Sequence, residues 1–338
     1  MIGFANDSLL ASSTFPLSIQ MLEKVEEAYE RIKTFVNLTP VMTSTTLNGI
    51  TRGECFLKCE NFQKTGAFKF RGAFNALSQL SPMQKEKGVV THSSGNHAQA
   101  LALAAKLLGI KVVVAMPKNA SPLKESATRS YGANIVSCGS RPADRERAAA
   151  ALIKKHEYTF IHPSNDLEII AGAGTAAYEL IREVGPLDYV FSPVGGGGLL
   201  SGTAMATKGL LPSSKVIGVE PKNADDAYQS LKAGRIIQIE NPDTIADGLR
   251  TSLGNNTFAI IRKHVDRIIT VSEAEIVDAM QFIWERMKLV VEPSGAVSLA
   301  GVLSNQIELD AKRVGVIISG GNVDLSDFFA GIRRRVIL

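Results

Sequence analysis

From about residue 88 the chain alternates short β-branched, apolar runs with longer stretches whose apolar positions recur at helical spacing. "GVVTHS" (88–93) leads into "NHAQALALAAKLLG" (96–109), and "KVVVAMP" (111–117) into "PLKESATRSYG" (122–132). "NIVSC" (134–138) leads into a helical stretch over 142–156, and "YTFIHP" (158–163) follows. A second series begins at "AGAGTAAYELIREV" (171–184) and runs through "DYVFSPV" (188–194), "KVIGVEP" (215–221) and "DRIITV" (266–271). It ends in the helix "EAEIVDAMQFIWERMKL" (273–289) and the strand "VGVIIS" (314–319). Strand, loop and helix repeating in this order predict an α/β fold of open twisted parallel sheets covered by helices.

Two such series predict two units. The early strand "CFLKCE" (55–60) and the helix after it are expected to join the second series. No low-complexity linker intervenes, so the expectation is a discontinuous large domain, residues 1–83 and 166–338, with a small α/β domain, 84–165, inserted.

Composition changes this picture little. A chain of 338 residues with 45% hydrophobic and 21% charged residues suits about two globular domains. The net charge of +4 is small and its basic residues are scattered; the tight cluster Arg333–Arg335 reads as a solvated helix end. Nucleic-acid binding is therefore not expected. Cys55, Cys59 and Cys138 form neither a disulfide framework nor zinc spacing, and no apolar run reaches membrane-spanning length. With no Lys or Arg before Lys24, a targeting peptide is not expected, and the expected location is cytoplasmic.

Chemistry enters at three glycine-bearing loops and one lysine. "PVGGGGLLSG" (193–202) follows an apolar strand and opens a helix. Four glycines there let backbone N–H groups converge on an anion such as phosphate, in a pattern unlike the Walker loop or the spaced dinucleotide fingerprint. "SGGNVD" (319–324) also follows a strand, at the end where ligands of open sheets lie. "THSSGNHAQA" (91–100) offers Ser93, Ser94, Asn96 and His97 at a helix N-terminus. That is either a carboxylate site or an N-cap by Ser93, Ser94 or Asn96, with His97 alone of the five histidines in such a setting. Lys69, in "KTGAFKFRGA", stands behind a glycine loop at a helix start between Phe68 and Phe70. Partial desolvation there disfavours its charged form and makes a nucleophilic amine. A reactive amine together with a phosphate cradle fits pyridoxal 5′-phosphate.

The ordered motifs "KTGAFKFRGA", "THSSGNHAQA", "PVGGGG", "EPKNADDAYQS", "TIADGL", "WERMKLVVEPSGAV" and "SGGNVD" resemble those of the serine racemase and serine/threonine dehydratase branch of fold-type II pyridoxal-phosphate enzymes. The resemblance runs from about residue 25 and implies a tryptophan-synthase-β-like fold. It implies Lys69 as the Schiff-base lysine, with Phe68 and Asn96 beside the cofactor ring. Gly195, Gly196, Gly197, Gly198 and Leu199 would hold the phosphate, and Ser319 the pyridine nitrogen. The loop Ser93, Ser94, Gly95, Asn96, His97 would take the carboxylate of a small amino-acid substrate. Ser94 would be the second catalytic group, which leans toward the racemase-like branch, and Arg145 would close near the substrate. Glu220, the carbonyl of Ala224 and Asp226 would bind Mg²⁺ or Ca²⁺. The implied activity is dehydration of a β-hydroxy amino acid such as L-serine or L-threonine to a 2-oxo acid and ammonia, with serine racemisation, in a homodimer.

Alternatives in the same class are serine racemase as the main activity, or dehydration of threo-3-hydroxyaspartate or phenylserine. From other classes come a dinucleotide-binding oxidoreductase and a non-catalytic amino-acid sensor. Two departures from the family stand out. Ala67 replaces the usual serine, and the chain ends at Leu338 without the regulatory extension of biosynthetic threonine dehydratases, so isoleucine feedback is not expected.

Overall fold

The computed structural model describes residues 17–240 and 242–326; the cluster Arg333–Arg335 lies outside the described residues, as do the first residues read for targeting. Among the described residues ten strands make two sheets. β1 (Val41–Met42), β2 (Glu54–Cys59), β7 (Tyr189–Pro193), β8 (Lys215–Pro221), β9 (Arg267–Val271) and β10 (Arg313–Ile318) form the larger, in the order β1-β2-β10-β7-β8-β9. β3 (Val89–His92), β4 (Val112–Pro117), β5 (Asn134–Cys138) and β6 (Thr159–Phe160) form the smaller, in the order β5-β4-β3-β6. Only β1 runs antiparallel to its neighbour.

Strands buried on both faces read as near-continuous apolar runs rather than alternating ones. Every residue of β4, "VVVAMP", is buried, and the last five of β10 are too. The non-sequential neighbours β2 and β10 meet in register from Glu54–Arg313 to Cys59–Ile318. That pairing brings the segment after β2, which carries Lys69, beside the segment after β10, which carries Ser319. Phe68 N–H then donates to the Ser319 carbonyl at 3.0 Å.

Helix ends depart from the apolar pattern where local chemistry overrides it. The helix expected over 171–184 begins at Leu167, because the Asp166 side chain accepts from the Glu168 and Ile169 amides. The helix expected over 273–289 is regular only for Glu273–Phe282 and continues as a π-helical turn, Ile283–Met287. Lys288, at φ 61°, ends it.

The helix Lys69–Ser78 is seated on Leu167–Val184 by a glycine pair. A Cβ on Gly172 would stand 2.7 Å from the Gly72 Cα, so the backbones touch with no side chain between them. Beneath the same helix, Arg71 is wholly buried between Glu60 (Nε–Oε2 2.7 Å) and Glu179 (Nη1–Oε1 2.7 Å), and Lys58 adds a second cation 2.8 Å from Glu179. Two cations and two anions balance, and Thr39 and Thr175 take further hydrogen bonds. The network fixes the helix that begins at Lys69. Among the described residues no helix is long and apolar enough to cross a membrane, and the three cysteines are buried free thiols.

Candidate active site

In parallel sheets, loops leaving the carboxyl ends of strands gather on one edge. Segments after β2, β3, β6, β7 and β10 line one cavity of about 380 Å³, within the range of roughly 300–1,000 Å³ usual for small-ligand sites. Phe68, Lys69, Ser93, Ser94, Gly95, Asn96, His97, Arg145, Gly195, Gly196, Gly197, Gly198, Leu199 and Ser319 all line it. Glu220, Ala224 and Asp226 do not; they lie at the end of β8, apart from the cavity.

Lys69 is the first residue of its helix, so its backbone N–H has no intrahelical acceptor. Its side-chain ammonium donates to the Pro163 carbonyl at 2.8 Å and stands 5.1 Å from the centre of the Phe68 ring. No carboxylate pairs with it among the described residues, and burial pushes its pKa down to about 8. An amine in this setting is nucleophilic near neutral pH.

The glycine run follows β7 and enters the helix Gly198–Leu210. Gly197 has φ 81°, the left-handed region that glycine adopts without strain. Its neighbours are pressed against other loops. A Cβ on Gly195 would sit 2.8 Å from the Leu249 Cα, one on Gly198 3.0 Å from the Ser164 carbonyl oxygen, and one on Gly196 would collide with the Ser164 hydroxyl. The amides of Gly195 to Leu199 find no acceptor among the described residues. Free donors converging at a helix N-terminus suit a phosphate. With Lys69 in the same cavity, the residues present fit pyridoxal phosphate. The Ser319 hydroxyl is buried and donates to the Ser294 carbonyl at 3.3 Å.

The 93–97 loop removes one of the two alternatives left open for it. The helix Asn96–Leu108 is capped by Gly95 without any side-chain bond, so neither Ser93, Ser94 nor Asn96 is its N-cap. The Ser93 hydroxyl instead accepts from the Gly95 amide at 3.2 Å, and Asn96 Nδ2 donates to Glu292 at 2.5 Å. Ser94 makes no such bond and faces the cavity.

A correction concerns the histidines. His92 and His162 line the cavity as well as His97, and their rings lie 6.0 Å apart. Burial is the first cause holding both near pKa 4; Arg145 then adds to the effect at His92, and His92 at His162. His97, buried and beside Lys69, is held well below the usual range. His162 Nδ1 accepts from the amides of Ser164 and Asn165 at 3.1 and 2.8 Å, which leaves Nε2 to carry the proton. Arg145 is half-buried, its Nε has no hydrogen-bond partner, and burial disfavours its charge.

At the end of β8, Glu220 accepts from the amides of Ala227 and Tyr228 at 3.0 and 2.9 Å. Asp226 is buried, and neither of its oxygens reaches hydrogen-bond geometry with Ser252 or the Leu253 amide, which act on it through space. Burial raises Asp226 to about 7 and Glu220 well above its usual range, with Asp226 adding to the effect on Glu220. Among the described residues no three His, Cys, Asp or Glu side chains form a group that could hold a metal ion.

Residues 32–320 match the family model described as pyridoxal-phosphate dependent enzyme. The chain belongs to that family. It is 50% identical over 313 residues to a serine racemase of Schizosaccharomyces pombe, covering 92% of this chain and 97% of the relative. It is also 50% identical over 305 residues to an L-threo-3-hydroxyaspartate ammonia-lyase of Saccharomyces cerevisiae, covering 90% and 94%. Among solved structures, maize serine racemase superposes with a TM-score of 0.91 at 42% identity, covering 93% of this chain and 97% of that one. The cofactor of this family is a phosphate ester with an aldehyde, the two features that the glycine run and Lys69 suit. The dinucleotide-dependent oxidoreductase alternative has no support from the match.

Several cavity residues escaped the sequence: His92, His162, Pro163, Lys124, Asp247 and Glu292. His162 and Pro163 follow β6, so the rule that drew attention to Ser93 after β3 would have found them. Of the other four, His92 ends β3 within "THSSGNHAQA", Asp247 and Glu292 fall within "TIADGL" and "WERMKLVVEPSGAV" but drew no reading of their own, and Lys124 lies in a helix that no local pattern marks.

Proposed function

We propose that this chain is a pyridoxal-phosphate dependent ammonia-lyase that dehydrates β-hydroxy amino acids and also racemises serine. What carries the reading is one desolvated lysine that, among the described residues, pairs with no carboxylate and shares a cavity with five backbone amides without an acceptor and with the 93–97 loop. When bound, the cofactor supplies an aldehyde that condenses with amines and a conjugated ring that takes up the electron pair of a bond broken at Cα.

The protein's own groups supply the rest. Gly195 to Leu199 would hold the cofactor's phosphate by their amides, with Phe68, Asn96 and Ser319 lining the same cavity beside its ring. The 93–97 loop holds the substrate carboxylate at the start of its helix, which fixes Cα relative to Lys69. Lys69 Nζ, poised near neutrality, takes the Cα proton. Loss of the β-hydroxyl as water then yields an enamine, which water converts to a 2-oxo acid and ammonia. Ser94 delivers a proton to Cα from the side away from Lys69, which inverts the centre in the racemising branch.

A second substrate reading rests on Arg145. A half-buried guanidinium with no ion-pair partner among the described residues lines the cavity beside His92 and Glu146. It suits the second carboxylate of threo-3-hydroxyaspartate, the substrate named for the yeast relative.

The reading also includes a homodimer, a cytoplasmic setting in keeping with three reduced thiols, and a division into residues 1–83 with 166–338 and an inserted 84–165. It further includes Mg²⁺ or Ca²⁺ on Glu220, Ala224 and Asp226, where a divalent cation would offset two buried carboxylates.

Incubation with L-serine and with L-threo-3-hydroxyaspartate, following 2-oxo acid and D-serine together, tests the reading. Wild-type protein should make 2-oxo acid from both, with the lower KM for the dianionic substrate. Ser94→Ala should lose D-serine formation by at least about a hundredfold while retaining L-serine elimination. Absence of 2-oxo acid from every β-hydroxy amino acid would overturn it.

A further inference from the structure

Lys124 belongs to the helix Pro122–Ser130, on the side of the smaller sheet, yet its charge partners belong to the other side. Its ammonium lies 2.6 Å from Asp247 Oδ2 and 3.7 Å from Glu292 Oε2, with only 9% of the side chain exposed. Each partner sits on a segment that borders the proposed cofactor position. Asp247 opens the turn Asp247–Leu249, whose Leu249 presses on Gly195, and the Gly248 amide donates to Ser294 Oγ at 3.0 Å. Glu292 precedes the helix Pro293–Leu303 and accepts from Asn96 at 2.5 Å. The Lys124 stem also lies across Gly95, where a Cβ would stand 3.2 Å from its Cδ. One cation therefore joins the 93–97 loop, the turn over the glycine run and the turn beside Ser319.

We infer that Lys124 is a positioning residue that clamps the carboxylate-binding loop onto the cofactor side of the cleft. The inference rests on the reading of 93–97 as the substrate-carboxylate loop. A nearly buried ammonium between two acids from elsewhere in the fold is costly to leave unpaired, so the two sides are held together as long as the triad is intact. Wall, floor and loop then keep one spacing, and the amino-acid carboxylate meets a preformed seat.

Three variants of the cofactor-loaded protein test this: Lys124→Met, Lys124→Arg and Asp247→Asn. Hydrogen exchange over residues 91–100 reads the loop without any reaction. It should quicken about tenfold or more in Lys124→Met and Asp247→Asn and return most of the way in Lys124→Arg. KM for L-serine should rise at least tenfold in the same two variants, with kcat changed less and the cofactor absorbance band retained. The double variant Lys124→Met/Asp247→Asn should be no worse than either single change. Should Lys124→Met fail to fold, Asp247→Asn decides, because that carboxylate is 45% exposed and tolerates neutralisation. Unchanged exchange in Asp247→Asn, or additive effects in the double variant, would overturn the clamp. Faster exchange in a protein that turns over no β-hydroxy amino acid would leave the clamp standing and defeat the proposed reaction instead.

Discussion

At the scale of single residues, Lys69 concentrates the chemistry. Its ammonium donates to the Pro163 carbonyl, no carboxylate pairs with it among the described residues, and burial moves its pKa down to about 8. The neutral amine is the reactive form, so apoprotein should take up pyridoxal phosphate faster as pH rises. The rate should climb about tenfold per pH unit below 8 and flatten above it. Stopped-flow absorbance during reconstitution measures this, and a flat profile between pH 6 and 9 would count against a desolvated lysine. Lys69 was legible in the sequence because a glycine loop, two phenylalanines and a helix start announced its surroundings. Lys124 was not, because its two acids lie more than a hundred residues away and nothing in "PLKESATRSYG" marks them. His97 stood in an evident loop, whereas the closeness of the His92 and His162 rings depends on β3 lying beside β6, which no local pattern announces.

Among the elements, the helix Lys69–Ser78 shows how folding energy is converted into placement of one amine. It is held from below by Arg71 with Glu60 and Glu179, and at the side by Gly72 against Gly172. Arg71→Ala would leave two buried carboxylates facing Lys58 alone. It should destabilise the fold by roughly 3–5 kcal/mol in urea denaturation, where breaking one surface ion pair would cost about 1. A loss under 1 kcal/mol would mean that water reaches these groups. The alternation of strand and helix was readable because parallel strands are apolar throughout. The strand order was not, since β2 and β10 are far apart in the chain and only packing unites them. The π-helical turn at Ile283–Met287 was also hidden, because an apolar repeat does not distinguish four-residue from five-residue hydrogen bonding.

For the molecule as a whole, one cavity collects segments from both sheets, and a second charged locus at the end of β8 lies apart from it. Burial raises Asp226 to about 7 and Glu220 well above its usual range, so both favour their protonated forms in the folded chain. Without a cation their contribution to stability is therefore present at low pH and is lost as pH rises through about 7. A divalent cation on the proposed site would need the charged forms, so the gain in Tm on adding Mg²⁺ or Ca²⁺ should be larger at pH 8 than at pH 6. At a hundredfold excess over Kd the added stability should approach about 2.7 kcal/mol, and Asp226→Asn should abolish it. An equal gain at both pH values, or one surviving Asp226→Asn, would remove the cation from that position.

The central claim is that the Lys69 amine holds pyridoxal phosphate. Borohydride reduction of the purified holoprotein, followed by peptide mass spectrometry, tests it directly. The account predicts a phosphopyridoxyl adduct on Lys69, absent from Lys69→Ala; an unmodified Lys69, or an adduct on another lysine, would contradict it.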